Sequence, residues 1–402
     1  MTLGLLVQAV VALASPSPAE GPWRAVLDLA GGPLRFGLQI ERADGRWRGK
    51  LCNGTECQPI DVRLESDSVV LDIPDYAATM TARMSRDSLV GSYRNVGNRG
   101  PRTIPFRASR GRWPVRAPPK ELIGRWDATY FLDWGTSPRV FEFRSGPSGL
   151  EGTIISNTGD YGHFSGFAAA DSFAMAHFDG SYVYLLTGRL DGDTLRGIFH
   201  AGLRTQTRWM AVRSSGAPHL GSPTELTAAD TSEPFRFEFP DLEGLTVRND
   251  DPRFAGKVVL VDIFGSWCPT CHHATPELVK LYRRYRARGL EVVGLAYEVT
   301  GDTAIDGRQV RRYRDKFGIT FPLLLAGTND NEAAAATLPQ LRGFTSFPTT
   351  LFLGRDGRIR RVYAGFYGPA TGAQHKRLLR EYEKEIERLL VERIARPPGG
   401  PR

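Results

Sequence analysis

At 402 residues, with 41% hydrophobic and 24% charged side chains, the chain has length for two to four folded domains and is too apolar to be disordered over most of its course. A net charge of +8 raises the question of nucleic acid, yet the basic residues Arg283, Arg284, Arg286 and Arg288, and Arg308, Arg311, Arg312 and Arg314, fall at helical spacings that read as solvated faces. With no aromatic-interleaved basic stretch beside them, nucleic acid is excluded as a partner, and the basic surface suits an anionic envelope or an acidic partner instead.

The run from Leu3 to Ala14, followed by Ser15-Pro16-Ser17-Pro18-Ala19, is too short to span a bilayer and matches the apolar region of a signal peptide, although no Lys or Arg precedes it. Residues 1–19 are therefore read as a signal peptide, cut after Ala14 or Ala19. Without a lipobox cysteine or another hydrophobic span, the mature chain is expected to be exported, to a bacterial periplasm or cell envelope, with no integral membrane span.

An internal repeat follows. Gly21-Pro22-Trp23-Arg24-Ala25 recurs as Gly124-Arg125-Trp126-Asp127-Ala128, and Asp87-Ser88-Leu89-Val90-Gly91 as Asp193-Thr194-Leu195-Arg196-Gly197, at an offset near 105 residues. A period that long is a duplicated domain, not a solenoid unit. Each copy reads as short alternating strands such as Leu34–Ile40 and Val140–Phe143, with turns at Asp44-Gly45, Asp179-Gly180 and Asp191-Gly192. The expectation is two tandem all-β antiparallel barrel or sandwich domains, 20–113 and 120–216, weakly similar in pattern to small lipocalin-like barrels. In the first copy, Cys52 and Cys57 flank Asn53-Gly54, a strong turn signal, which favours a structural disulfide across a hairpin over free thiols or a second redox centre.

A Pro- and Gly-containing linker, 217–232, leads to a third domain over 233–393, and 394–402 is expected to be a disordered tail. This domain reads as a central strand Lys257–Phe264, a helix from Cys271 to Arg288, a strand Glu291–Tyr297, a helix around Gln309–Phe317, a strand Phe321–Leu325, a strand after Pro348, a hairpin at Asp356-Gly357 and a long helix near Gln374–Ile394.

The chemistry lies where the first of these strands ends, at Trp267-Cys268-Pro269-Thr270-Cys271. Two cysteines separated by two residues at a helix N-terminus meet unpaired N–H groups and a dipole that favour thiolate. Cys268 is expected at the exposed tip as the attacking thiol, with Cys271 one turn further in as the resolving one. Asp262, six residues earlier on the strand, faces the space behind the dithiol, where burial raises its pKa and fits it to take the proton of Cys271. Pro276 falls inside the helix. The Thr345-Ser346-Phe347-Pro348-Thr349-Thr350 loop opens a strand, and a cis bond before Pro348 would leave the preceding backbone free to pair with an extended substrate. Trp267, Phe347 and Pro348 are thus candidate substrate-binding residues. Glu298, at the end of its strand, is either a possible acid–base group or a solvated carboxylate, and His272 and His273 are expected to be exposed on the first helical turn. Half a zinc site would need further ligands, but the other two cysteines are far away in sequence. The Cys268-Pro269-Thr270-Cys271-His272 string also matches a c-type haem attachment, which would demand a helical, haem-enclosing domain.

From about Glu233 to Leu390, Val261-Asp262, Trp267 to Cys271, Pro276 and Ser346 to Thr350 occur in the order that resembles the thioredoxin fold, and within it the TlpA-like thiol-disulfide oxidoreductases. The resemblance implies an α/β domain in which Cys268 is the nucleophile, Cys271 resolves, Asp262 accepts a proton and Pro348 is cis. The segment between the motif helix and Pro348 matches the insertion of that family. One departure is Ala274, where several relatives carry a glutamate, so acid–base work falls to Asp262 or Glu298. The implied activity is exported thiol-disulfide exchange on protein thiols or disulfides, with no metal and no organic cofactor; a reductase would draw on a membrane-embedded thiol electron donor. Two alternatives stand beside it. One is an envelope binding protein whose β domains hold a ligand or partner, with the thioredoxin fold as docking module. The other is a peroxiredoxin-like peroxidase, disfavoured because Gly265 stands where that chemistry wants Thr or Ser.

Overall fold

A computed structural model describes residues 19–97 and 100–392. The expected signal peptide (but for Ala19) and the expected tail lie outside the described residues. Eight strands, from Gly21–Leu29 to Gly100–Arg110, run antiparallel in chain order and close when the first pairs with the last, Ala25 opposite Ala108. A second ring, from Gly124–Leu132 to Thr205–Arg213, closes in the same way through Ala128 opposite Ala211, with the short strand Gly159–Asp160 attached to Gly149–Ser156. Both repeats are therefore up-and-down barrels and not sandwiches. Alternation puts every second side chain inside: Trp23, Phe36, Tyr93 and Phe106 are buried in the first, Trp126, Phe141, Phe164 and Trp209 in the second.

The duplication is visible in detail. Trp23 Nε1 donates to Ala19 O and Trp126 Nε1 to Leu122 O, both at 2.9 Å, while Arg110 and Arg213 stack on those indoles at 4.4 and 4.0 Å. Each buried indole thus keeps its N–H satisfied and its face covered by a cation. At the Asp44-Gly45 hairpin both central residues have positive φ, 51° and 74°, the mirror-image turn that matches strand twist and that Asp and Gly tolerate. The cysteine hairpin turns one residue later than its Asn-Gly signal suggests. Asn53 still pairs with Glu56, so Gly54 and Thr55 form the turn.

The third unit is a five-stranded sheet in the order Leu323–Thr328, Leu290–Glu298, Val258–Phe264, Thr349–Leu353, Ile359–Ala364. The first three strands are mutually parallel and the last two antiparallel to their neighbours. Val258–Phe264 is buried along its whole length, because helices cover both faces, as the continuous apolar run requires. The helices are α1 (Pro269–Tyr285), α2 (Thr303–Phe317), α3 (Asn331–Thr337) and α4 (Ala373–Val391). Helix α2 starts earlier than the apolar pattern reaches, because Asp302 caps it by accepting from the backbone N–H groups of Ala304 and Ile305. Among the described residues no helix is long and apolar enough to cross a membrane.

The barrels dock on the sheet unit around its motif. From the first, Pro74 and Asp75 carbonyls accept from Gln309 on α2 at 3.1 and 2.8 Å, and the Asp75 carboxylate pairs with Lys316 at 2.6 Å. From the second, Thr158 O accepts from Phe366 N at 3.0 Å, and Gly159 bridges Phe366 in parallel register. Asp160 also accepts from the backbone N–H of Gly368.

Candidate active site

Cys268 occupies the N-cap of α1, and its Sγ accepts from the Cys271 N–H at 3.3 Å, the position in which orphan helix donors stabilise negative charge. Both cysteines are free thiols. On the other side of Cys268 lies the Phe347 carbonyl, 3.6 Å from Sγ, immediately before the cis Phe347–Pro348 bond. Trp267 anchors the approach: its Nε1 donates to Tyr297 O at 2.8 Å, and its ring meets that of Phe347 edge-on at 5.6 Å. The chain brings together Trp267, Cys268, Cys271, Phe347 and Pro348 from two loops some eighty residues apart.

Asp262 is 3% exposed, and its Oδ1 has no hydrogen-bond partner. Burial alone pushes its carboxyl up to about 7. Burial, with the Cys268 sulfur and the Asp262 carboxylate adding to it, pushes the Cys271 thiol well above the ordinary thiol range. A carboxyl raised to about 7 thus lies within electrostatic reach of a thiol that burial keeps protonated. Tyr313, on α2, donates to the Cys271 carbonyl at 3.0 Å and also bonds Thr275, fixing the first turn of α1 from behind. The sequence pattern marked α2 but nothing in it singled out Tyr313.

Glu298 is buried, not solvated. Its two carboxylate oxygens accept from Ser266 N at 2.7 Å and Ser266 Oγ at 2.6 Å, and burial raises it to about 8 against the pull of those bonds. It holds Ser266, two residues before Cys268, and so fixes the loop that carries that cysteine. Its pKa sits in the range of acid–base groups.

Two expectations fail here for one reason. Cys268 is not an exposed tip but 1% exposed, and His272 is buried as well. His272 donates from Nε2 to Ser266 O at 2.7 Å and packs on Tyr76 of the first barrel at 4.8 Å and Tyr313 at 4.9 Å; burial and the Lys316 ammonium lower it to about 4, so it is neutral at pH 7. His273 is half-buried. The barrels cover the motif. Ser181, in the loop after strand Ser172–Phe178, donates to Trp267 O at 3.1 Å, and burial followed by the Cys268 sulfur pushes the neighbouring Tyr182 phenol well above its ordinary range.

The covering loop is itself organised by Asp179, whose Oδ1 accepts from Ser181 N at 2.8 Å and Tyr182 N at 2.7 Å. Its Oδ2 lies 3.2 Å from His177 Nε2, while His177 Nδ1 donates to His163 O at 3.0 Å. Burial opposes charge on both, but their pairing wins: His177 is raised and Asp179 lowered. Asn53 of the disulfide hairpin exchanges two hydrogen bonds of 2.9 Å with the Phe178 backbone. Cys52 and Cys57 are joined by a disulfide, S–S 2.04 Å. Between the hairpin and the motif lies a cavity of about 300 Å³ lined by Cys57, Tyr76, Asp179, Tyr182, Pro269 and Thr270 among others. Among the described residues no cluster of His, Cys, Asp and Glu is arranged to hold a metal ion.

A family model described as Redoxin matches residues 228–373. The thiol-disulfide oxidoreductase ResA of Halalkalibacterium halodurans is 28% identical over 130 residues, 32% of this chain and 65% of that relative's length. ResA of Geobacillus thermodenitrificans is 30% identical over 139 residues, covering 35% of this chain and 71% of the relative. A solved structure, a thiol:disulfide interchange protein of the thioredoxin family from Chlorobium tepidum TLS, aligns with 40% of this chain and 98% of its own at 21% identity and a TM-score of 0.31.

Proposed function

The chain belongs to the thioredoxin-fold thiol-disulfide oxidoreductases, the family of ResA, and from that premise we propose that it exchanges disulfides with protein thiols outside the cytoplasm, in a periplasm or cell envelope. The observation that carries the reading is the sulfur of Cys268 at the α1 N-cap, held between the Cys271 N–H and the Phe347 carbonyl. As thiolate, Cys268 attacks one sulfur of a substrate disulfide; a mixed disulfide forms and the other substrate sulfur leaves as thiolate. Cys271 passes its proton to Asp262 and attacks Cys268 Sγ, releasing the second substrate thiolate. The substrate gains two electrons and the Cys268–Cys271 disulfide holds the oxidised equivalent. Run backwards, the same steps oxidise a dithiol. As a reductase, the chain would be recharged by a membrane-embedded thiol donor.

Trp267, Phe347 and Pro348 form the ledge on which the substrate chain lies, and Glu298 acts as a positioning residue through Ser266. The Cys52–Cys57 disulfide serves as a local staple of its hairpin. Because Ser181 and Tyr182 cover Cys268, a protein substrate requires that loop to withdraw, and the arrangement described is the closed one. Insulin reduction by dithiothreitol tests the activity: the full chain accelerates precipitation, Cys268→Ser abolishes the acceleration, and Cys271→Ser accumulates mixed disulfides. Precipitation at the uncatalysed rate with the intact chain would overturn the proposal.

A further inference from the structure

Away from the dithiol, a cavity of about 620 Å³ opens between the two barrels. Its walls include strand Gly32–Ala43 and the Cys52–Cys57 hairpin of the first barrel, strand Phe164–Ala169 of the second, and the connecting segment around Trp113. Trp113 is locked to the first barrel by its Nε1, which donates to Phe36 O at 2.8 Å, so the connector is a fixed wall. Volume and position suit a ligand site, since pockets of several hundred cubic ångströms gather at domain interfaces.

The charge of this cavity is one-sided. Arg35, Arg112 and Arg116 line it, and no aspartate or glutamate does. Elsewhere on the barrels arginines find carboxylates, as Arg63 with Asp72, Arg107 with Asp28 and Arg189 with Asp171. Among the described residues the three cavity arginines have no ion pair. Arg35 is held from both barrels at once, its guanidinium 4.8 Å from the Trp113 ring and 4.1 Å from the Phe167 ring. Stacking of that kind fixes the plane of the guanidinium and leaves its N–H edge for an acceptor, the geometry in which arginine takes a carboxylate or phosphate with two bonds. Around it the surface is apolar, from Trp113, Val115 and Phe167. Large buried aromatics fill the barrel interiors, so the room for a guest described here lies between the barrels.

We propose that this inter-barrel cavity binds a single small amphipathic anion, with its apolar body against Trp113, Val115 and Phe167 and its carboxylate or phosphate head on Arg35, assisted by Arg112 and Arg116. The ligand is a free molecule and not a bilayer, because Arg35, which takes the head, is half-buried between the Trp113 and Phe167 rings and not on a projecting face. The site is separate from thiol chemistry, so its test stands whether or not the redox reading does.

Calorimetric titration of the full chain with decanoate, below its micellar concentration, should show one site per chain. Decyltrimethylammonium, of equal tail length and opposite charge, should not bind there. Arg35→Gln should weaken decanoate by at least about tenfold, as expected for loss of hydrogen bonds to a charged group. Arg116→Gln, on the exposed connector where folding is not at stake, should weaken it by a smaller factor of about three. Equal binding of the cationic and anionic amphiphiles, decanoate affinity untouched by both substitutions, or Arg35-dependent binding to anionic vesicles without decanoate binding would each overturn the proposal.

Discussion

Asp262→Asn separates the stability cost of the buried acid from the proton transfer proposed for it. The carboxyl rises from an ordinary 3.8 to about 7 because it is buried. That is a shift of about three units, which at about 1.4 kcal/mol per unit makes the ionised side chain a burden of order 4 kcal/mol on the folded state. The sign follows from linkage. Below pH ~4 both folded and unfolded chains carry the proton and the acid costs nothing. Between pH ~4 and 7 the unfolded chain loses its proton while the folded chain keeps it, so stability falls steadily, and above 7 the penalty is level. Asp262→Asn removes this dependence. The variant should therefore gain nothing near pH 4 and, relative to that, about 4 kcal/mol by pH 7.5. Any fixed cost of a buried amide cancels when the two pH values are compared. Among the described residues every α-helix lies beyond Cys268, so urea unfolding followed by the helical circular-dichroism signal reports on the unit that holds Asp262. Glu298, also raised, is present in both proteins and drops out of the difference. In single turnover the same variant should slow resolution of the mixed disulfide and spare the first attack. A stability difference that does not change between pH 4.5 and 7.5 would refute the reasoning.

Three further outcomes follow from the covered dithiol. Ser181→Ala removes one hydrogen bond from the cover, worth about 1 kcal/mol, and should speed iodoacetamide modification of Cys268 in the reduced chain about fivefold; an unchanged rate would mean that the loop does not gate the thiol. The raised His177 contributes its pairing with Asp179 fully below pH ~6.5 and loses it as pH climbs through the raised value, so Cys268 labelling, corrected for its own ionisation, should accelerate on the alkaline side in the native chain and not in His177→Gln, measured from pH 6 to 9. Replacing Cys52 and Cys57 together by serine should lower the stability of the first barrel by about 2 kcal/mol, seen by calorimetry, and leave insulin reduction intact; a large fall in turnover would make that disulfide an electron carrier.

What could be read from the chain and what could not divide along a physical line. The motif, its strand, the Pro348 loop and the helical stretches are local: strand periodicity, caps and the two-residue spacing are written in neighbouring residues. The barrels were legible through turn signals and through the repeat, though barrel and sandwich share the same alternation and only the closing pair, Ala25 with Ala108, tells them apart. The cover was not legible. It joins Ser181 to Trp267 and Tyr76 to His272, contacts between units that no periodicity announces, and so the exposure of Cys268 and His272 came out wrong. The inter-barrel cavity has the same origin, since Arg35, Trp113 and Phe167 acquire a common purpose only after three segments meet.

Phe178 belongs by sequence to the second copy, yet its ring is fully buried against Phe36 at 4.9 Å and Tyr93 at 5.1 Å of the first. Tyr93 in turn donates to the Gly180 carbonyl at 2.9 Å. The duplicated segments are therefore not interchangeable modules: a first copy expressed alone would be left with an open hole where Phe178 sits. The residues just after Phe178 lie over the motif, so the side chains that receive Phe178 and the cover of the sulfur are joined by two residues of chain. Selection on thiol access can then work through the packing of a domain that carries no catalytic group.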